Sequence, residues 1–410
     1  MKTLSLATLA VAVAIGCGST NTEPGATTGH GSSSGGGSGS SSGGSGSSSG
    51  GSGSGAGGSG GSSGSSSGSG SGSSSGGDDA GSSGSSSGSG SGGVVSSTGV
   101  SILVYPNGHH ASELIAAING ATTSVYMTIY EIDDTGVINA IVAKKKAGLD
   151  VQVILDGSTT TRSNNTSAYS SFNSAGIPVV WSASNFTFTH EKCVMIDHKQ
   201  AWIMTANAES SVPQYNREYL AIDDNQADVA EAEAIFTADH AVKSITPTGN
   251  LVVANSNARP DLVALINSAT KSLDIEDEEF SDNNSNGITA AVVSAAGRGV
   301  TVRLIVAGGS SSATQTTALN EVKSAGGTVF VSDASSGGGT ATDPYIHAKA
   351  ILVDCATGAC TSGFVGSENM TTGSLLYNRE VGVIITDKTQ LGLIYTAMSS
   401  DFSNPKDTKL

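Results

Sequence analysis

The sequence predicts an α/β protein built from two pseudo-symmetric repeats, each a mixed, mostly parallel sheet flanked by helices. Three observations predict it. Apolar runs alternate between strand and helix periods. Four sequence blocks recur in the same order. A Gly/Ser tract confines the folded part to the C-terminal three quarters of the 410 residues.

The N-terminal segment, residues 1–17, reads as an export signal. Lys2 supplies one positive charge, and Leu4–Ile15 is an apolar run too short to stay as a bilayer-spanning helix. Ala14-Ile15-Gly16-Cys17 is similar to a bacterial lipoprotein box, with Ala14 where that pattern favours Leu. The resemblance implies a lipid-modified Cys17, anchored to the outer membrane of the cell envelope. The alternative is an ordinary cleaved signal. Residues 18–97 form the linker. From Gly31 to Gly93 only Ala56, Asp78, Asp79 and Ala80 are neither Gly nor Ser. Such a tract buries too little apolar surface to offset its backbone entropy, so it is expected to be a coil of about 40–48 Å reach.

Residues 98–247 and 248–410 are the two repeats, and a monomer is expected. Leaving out Lys2, Glu23, Asp78 and Asp79, they hold 18 basic and 32 acidic residues, a net charge of −14. That is not the electrostatic footprint of a general nucleic-acid binder. In the first repeat Ser101–Tyr105 and Ser124–Tyr130 read as strands around a helix from Ala111 to Asn119. Gly136–Ala147 has helical apolar spacing and stops at Gly148, a C-cap signal. Val151–Leu155 is a continuous apolar run, as in a strand buried on both faces. The second repeat offers Gly287–Arg298, Gly299 and Val302–Val306 in the same order. Leu114–Ser124 matches Leu262–Ser272 at an offset of 148, Ala147–Val153 matches Arg298–Leu304 at 151, His190-Glu191-Lys192 matches His347-Ala348-Lys349 at 157, and Tyr215–Glu218 matches Tyr377–Glu380 at 162. The offset only grows, so each step is a loop insertion. The last contains Cys355 and Cys360, whose spacing suits a disulfide closing a hairpin tip in an exported protein. Cys193, flanked by Val194-Met195-Ile196, reads as a buried free thiol.

The chemistry lies in the third and fourth blocks. His190-x-Lys192 leads through four apolar or small residues to Asp197, then to Thr205 and Asn207; His347-x-Lys349 leads to Asp354, then to Ser367 and Asn369. In a strand, His and Lys two apart share a face, so each copy presents an imidazole beside an ammonium. Imidazole is a nucleophile or proton carrier near neutral pH, and ammonium holds an anion. Glu218 follows His190 by 28 residues, and Glu380 follows His347 by 33, the same distance plus the five-residue insertion. A carboxylate behind each histidine would orient its ring and stabilise its cation. The alternative is a surface ion pair with Arg217 or Arg379. Asp197 and Asp354 end their strands and read as structural.

The doubled HxKx4Dx6GSxN pattern resembles the phospholipase D superfamily over residues 99–402. The first copy departs from it at Met204-Thr205, which keeps the hydroxyl, and the second lengthens the preceding loop. The resemblance implies a phospholipase D-like fold with one active site at the interface of the repeats. It also implies a covalent phosphohistidine, with His190 as nucleophile and His347 as acid. Lys192, Lys349, Asn207 and Asn369, with the Thr205 and Ser367 hydroxyls, would then hold phosphate oxygens. No metal or other cofactor is expected, because the lysines supply the cations.

The remaining residues read as plain structure. His109-His110 and His198 fall in loops, His240 in a helix, and Lys144-Lys145-Lys146 at the exposed end of an amphipathic helix. Glu276-Asp277-Glu278-Glu279 either lines the cleft and repels polyanions or is a solvated strand end. Two substrates stand open. One is a phospholipid of a membrane surface, hydrolysed to phosphatidic acid and head group or transferred to an alcohol, which the tether and acidity favour. The other is nucleic acid, cut by a metal-independent endonuclease. A non-catalytic envelope binding module is opposed by the intact His and Lys of both copies.

Overall fold

The computed structural model describes residues 99–108, 111–309, 312–355 and 358–410. The export segment with Cys17, the Gly/Ser tract and His109-His110 lie outside the described residues. The first repeat opens with β1 (Val100–Tyr105), α1 (Ser112–Gly120), β2 (Ser124–Ile129), α2 (Thr135–Lys146), β3 (Asp150–Leu155), α3 (Arg162–Ser174) and β4 (Val179–Trp181). It continues with β5 (Lys192–Ile196), β6 (Gln200–Met204), α4 (Val212–Tyr215), β7 (Asn216–Asp223) and α5 (Gln226–His240). The second begins with β8 (Leu251–Val253), α6 (Ala258–Asn267), β9 (Ser272–Asp277), α7 (Ile288–Gly297), β10 (Thr301–Val306), α8 (Ala313–Ser324) and β11 (Thr328–Val331). Then come β12 (Tyr345–Ile346), β13 (Lys349–Val353), β14 (Ser362–Gly366), α9 (Thr372–Tyr377), β15 (Val381–Ile385), α10 (Lys388–Asp401) and β16 (Thr408–Lys409).

The helices start and stop where local chemistry allows. The Asp134 carboxylate accepts from the Gly136 amide at 2.7 Å to cap α2. Gly148 and Gly299 follow α2 and α7 with φ of 90° and 88°, the left-handed stop the sequence predicts.

One sheet runs β1-β7-β6-β5-β2-β3-β4; the other, β16-β11-β10-β9-β13-β14-β15-β8, is its reversed counterpart with β16 added at the edge. The repeats and the α/β class are as predicted, but the expected parallel majority is not. Among the described residues, the only ladders that are parallel within a repeat are β2-β3-β4 and β9-β10-β11, joined through helical crossovers; the two-residue β12 also pairs parallel with β7, across the repeats. β5, β6, β7 and β1 pair antiparallel. The reason is connection length. β5 returns as β6 through Asp197-His198-Lys199, with φ of 57° and 58° at its first two residues, and so short a turn joins only antiparallel strands.

Side chains alternate along β5. Cys193 and Met195 face an inner apolar cluster that also takes Ala350 and Leu352 of β13, while Val194 and Ile196 face the outer helices. The two sheets thus bury their inner faces against each other, with α5 and α10 joining that core. Cys193 is a buried free thiol that donates to Met195 Sδ at 3.3 Å, and burial raises its pKa. Cys355 and Cys360 are joined in a disulfide. Lys192 lies opposite Ile129, the last residue of β2, and Lys349 opposite Asp277, the last of β9. Both HxK segments therefore sit at the carboxyl edge of the parallel strands, where open α/β sheets bind ligands.

Candidate active site

Each lysine folds back on its own strand. Lys192 Nζ donates to the His190 carbonyl at 2.7 Å, and Lys349 Nζ to the His347 carbonyl at 2.6 Å. Both lysines are fully buried, as are Glu218 and Glu380. Buried charges of this kind persist only when paired.

The histidine partners overturn one expectation. Nδ1 of His190 lies 2.7 Å from Oε2 of Glu380, and Nδ1 of His347 lies 2.7 Å from Oε1 of Glu218. Each glutamate serves the histidine of the other repeat, not its own. Backbone pairing enforces the exchange. Thr189 bridges Arg379, and Ile346 of β12 pairs with Arg217 of β7, so the residue after each meets across the seam. Neither arginine pairs with its neighbouring glutamate. Arg217 bonds Asp401 of α10 (Nη2–Oδ1 2.9 Å) and Arg379 bonds Asp239 of α5 (Nε–Oδ2 2.8 Å), two more ties between the repeats.

The glutamates are themselves held. Glu380 accepts from Ser374 Oγ at 2.6 Å and Asn378 Nδ2 at 2.9 Å, and Glu218 from Asn216 Nδ2 at 3.2 Å and from the Thr205 hydroxyl. Burial opposes their charge, yet His190 and His347 outweigh it and keep both carboxyls below the usual range. Burial also drives the His190 pKa down, opposed by Glu380 and reinforced by Lys192 and then Lys349. The crossed Nδ1 contacts, each histidine on the other repeat's glutamate, bring the two HxK pairs to the same seam.

Thr205 and Ser367, expected to hold substrate, are fully buried and committed within the protein. Their hydroxyls accept from the amides of Tyr219 and Val381, at 3.0 and 3.2 Å, which fixes the strands that carry the glutamates. Asn207 and Asn369 are at the site. Asn207 Nδ2 donates to Glu209 at 3.0 Å, and each asparagine keeps a buried Oδ1 without a protein partner. Asp197 and Asp354 lie at the far ends of β5 and β13. Asp197 accepts from the amides of Thr122, Thr123 and Ser124 at 2.8, 2.7 and 3.2 Å; Asp354 does the same for Thr270, Lys271 and Ser272 at 2.9, 2.6 and 3.1 Å. They clamp the turns into β2 and β9.

The acidic run, left open by the sequence, resolves toward the cleft, whereas Tyr130 and Glu209 escaped sequence reasoning. Glu276, Asp277 and Glu278 are buried, so the acidic run is no solvated strand end. Glu278 enters the site, 2.9 Å from Lys349 Nζ and 3.5 Å from His347 Nε2. Tyr130 packs edge-on against His190, with centroids 4.5 Å apart, and its ring lies 4.9 Å from Lys192 Nζ. Glu209 is pushed up to about 7 by burial and then by Glu131. The visible signal was position, since Tyr130 and Glu278 each directly follow the central strand of a repeat. Among the described residues, no group of three or more His, Cys, Asp or Glu is arranged to hold a metal ion.

Residues 114–240 and 262–404 each match the family model described as cardiolipin synthase, PLD-like domain. No curated protein matches the chain. Among solved structures, polyphosphate kinase from Porphyromonas gingivalis superposes with a TM-score of 0.59 at 16% identity, over 76% of this chain and 48% of that one. The chain thus spans about half the length of that protein. Phosphatidylserine synthase from Haemophilus influenzae Rd KW20 gives 0.54 at 13% identity, over 76% of this chain and 87% of that one. A phospholipase D family member, Nuc from Salmonella typhimurium, is 26% identical over 35% of this chain and 94% of that one, with a TM-score of 0.32. The first two likenesses are likenesses of fold.

Proposed function

The chain belongs to the phospholipase D superfamily, and from that premise we propose that it is a metal-independent phosphodiesterase acting on phospholipids, releasing the head group and leaving phosphatidic acid. The observation that carries the reading is the crossed pairing of His190 with Glu380 and His347 with Glu218. Neither His190 nor His347 takes its Nδ1 carboxylate from its own repeat, so the two half-sites are completed together and work on one phosphorus.

In this scheme Nε2 of His190 attacks phosphorus and the bond to the head-group oxygen breaks. His347 gives that oxygen its Nε2 proton. Water, or another alcohol, then returns a proton to His347 as it attacks, and the N–P bond breaks. Glu380 and Glu218 stabilise the two imidazolium states through Nδ1, while Lys192, Lys349, Asn207 and Asn369 hold phosphate oxygens as charge shifts between them. Glu209 and Glu278 lie on the His347 side, and with the net charge of −14 they disfavour a polyanion more than a single phosphodiester.

The deciding assay incubates the purified chain, in EDTA, separately with phosphatidylcholine or phosphatidylethanolamine vesicles and with plasmid DNA. Head-group release is expected. Nicked DNA without it makes the enzyme an endonuclease instead. Export, outer-membrane anchoring through Cys17 and a monomeric state belong to the same proposal. Palmitate should label the protein in cells but not its Cys17→Ser variant.

A further inference from the structure

The two half-sites share their His, Lys, Asn and Glu residues and differ in what is packed around each histidine. Tyr130 directly follows β2 and Glu278 directly follows β9, and the bridges two residues later, Ile132–Ala208 and Phe280–Met370, confirm the equivalence. Their neighbours differ to match. In the first repeat Tyr130 packs against Phe188, with centroids 5.9 Å apart; in the second, Tyr345 stands at the place of Phe188 and its hydroxyl donates to Glu278 Oε1 at 2.8 Å. An aromatic pair therefore faces His190 and Lys192, and a hydroxyl–carboxylate pair faces His347 and Lys349.

The difference decides what each ring nitrogen can do. His347 meets a carboxylate at both nitrogens, Glu218 at Nδ1 (2.7 Å) and Glu278 at Nε2 (3.5 Å). At 3.5 Å the Nε2 contact is an electrostatic one rather than a made hydrogen bond, but a carboxylate favours a hydrogen on the ring nitrogen that faces it, and a nitrogen that carries hydrogen has no lone pair for phosphorus. His190 meets a carboxylate at Nδ1 alone among the described residues.

We propose that Glu278 is a positioning residue that gives the two histidines unlike roles. It keeps a hydrogen on Nε2 of His347, making that ring the proton donor, while the aromatic wall around His190 leaves Nε2 there free to attack. The contact at Nε2 is long, so the leaving oxygen can replace Glu278 as acceptor, and Lys349 retains the displaced carboxylate at 2.9 Å. Burial opposes the charge of Glu278, but Lys349 and then His347 hold its carboxyl well below the usual range. In the reaction the proton passes from His347 Nε2 to the leaving oxygen as the P–O bond breaks and the His190 N–P bond forms.

The inference rests on the phosphodiesterase reading, and its test separates the two. Quenching wild-type turnover in base rather than acid, because the N–P bond is acid-labile, followed by peptide mass spectrometry under alkaline conditions, should locate the phosphoryl group on His190 alone. The Glu278→Gln variant is then compared on two esters: whichever phosphodiester of the vesicle and plasmid assays turns over, and bis(p-nitrophenyl) phosphate, whose leaving group departs without a proton. The loss should fall on kcat rather than KM, about 100-fold on the first ester and less than about threefold on the second. Glu278→Asp should recover part of it. A phosphoryl group on wild-type His347, a measurement that needs no variant, overturns the inference, as do equal losses on both esters. A wild-type chain that cleaves neither ester overturns the phosphodiesterase reading itself.

Discussion

Replacing Glu380 by Gln tests the crossed geometry directly. The carboxylate is fully buried, lies 2.7 Å from His190 Nδ1, and accepts from Ser374 and Asn378 through its other oxygen. A hydrogen bond to a charged group contributes about 1.5–3 kcal/mol. Gln also places an NH2 against the donating Ser374 hydroxyl and Asn378 Nδ2, or against His190 Nδ1, neither of which keeps the present set of bonds, and this moves the expected loss to the top of that range. About 3 kcal/mol corresponds to roughly 100-fold in rate. The assay is quenched-flow formation of the phosphoryl-enzyme from bis(p-nitrophenyl) phosphate, a step that needs the nucleophile but no proton for the leaving group. Glu380→Gln should slow this step roughly 100-fold, and Glu218→Gln, which acts through His347, should slow it far less. If Glu218→Gln were the damaging change and Glu380→Gln the mild one, each glutamate would serve its own repeat, and the exchange across the seam would be wrong.

Three further outcomes follow from the same contacts. Arg217→Met leaves Asp401 buried without its cation and should cost about 3–5 kcal/mol in urea unfolding, because removing one partner of a buried pair strands the other. Glu191 is buried, and burial followed by Asp239 pushes its pKa up to about 8. A carboxyl raised in the folded state contributes stability below its unfolded pKa of about 4.3 and loses it as pH rises toward 8. Glu191→Gln should therefore match wild type in Tm near pH 4 and exceed it increasingly up to pH 8.5; a Tm difference that does not grow with pH would remove the burial argument. Replacing Cys355 and Cys360 together by Ser opens a loop of sequence separation 5 and should cost about 2 kcal/mol in unfolding while leaving kcat unchanged, since the loop lies at the far end of β13 from His347.

Much of the fold was legible because its signals are local. Gly148 and Gly299 mark helix ends through their own backbone freedom, and the buried runs of β3 and β10 read directly as strands. The roles of Asp197 and Asp354 as turn anchors also followed from their place at the ends of β5 and β13. The parallel majority did not hold, because crossovers leave a strong helix-strand alternation in sequence while the hairpin β5-β6 leaves only a short polar turn.

By itself the sequence determined the repeat, the α/β class and the chemical groups at the site, since two HxK segments leading into strands each supply an imidazole and an ammonium two residues apart, although the strands themselves begin only at Lys192 and Lys349. Only the tertiary structure decided which carboxylate meets which histidine. His190 and Glu380 are 190 residues apart and His347 and Glu218 are 129 apart, and spacing within a repeat is equally compatible with paired or exchanged partners. The choice was made by the bridges Thr189–Arg379 and Ile346–Arg217 as the repeats docked, and the same docking turned Glu278 from one charge in an acidic run into a neighbour of His347. Contacts across a seam depend on how two surfaces meet, and no local pattern along either strand encodes that.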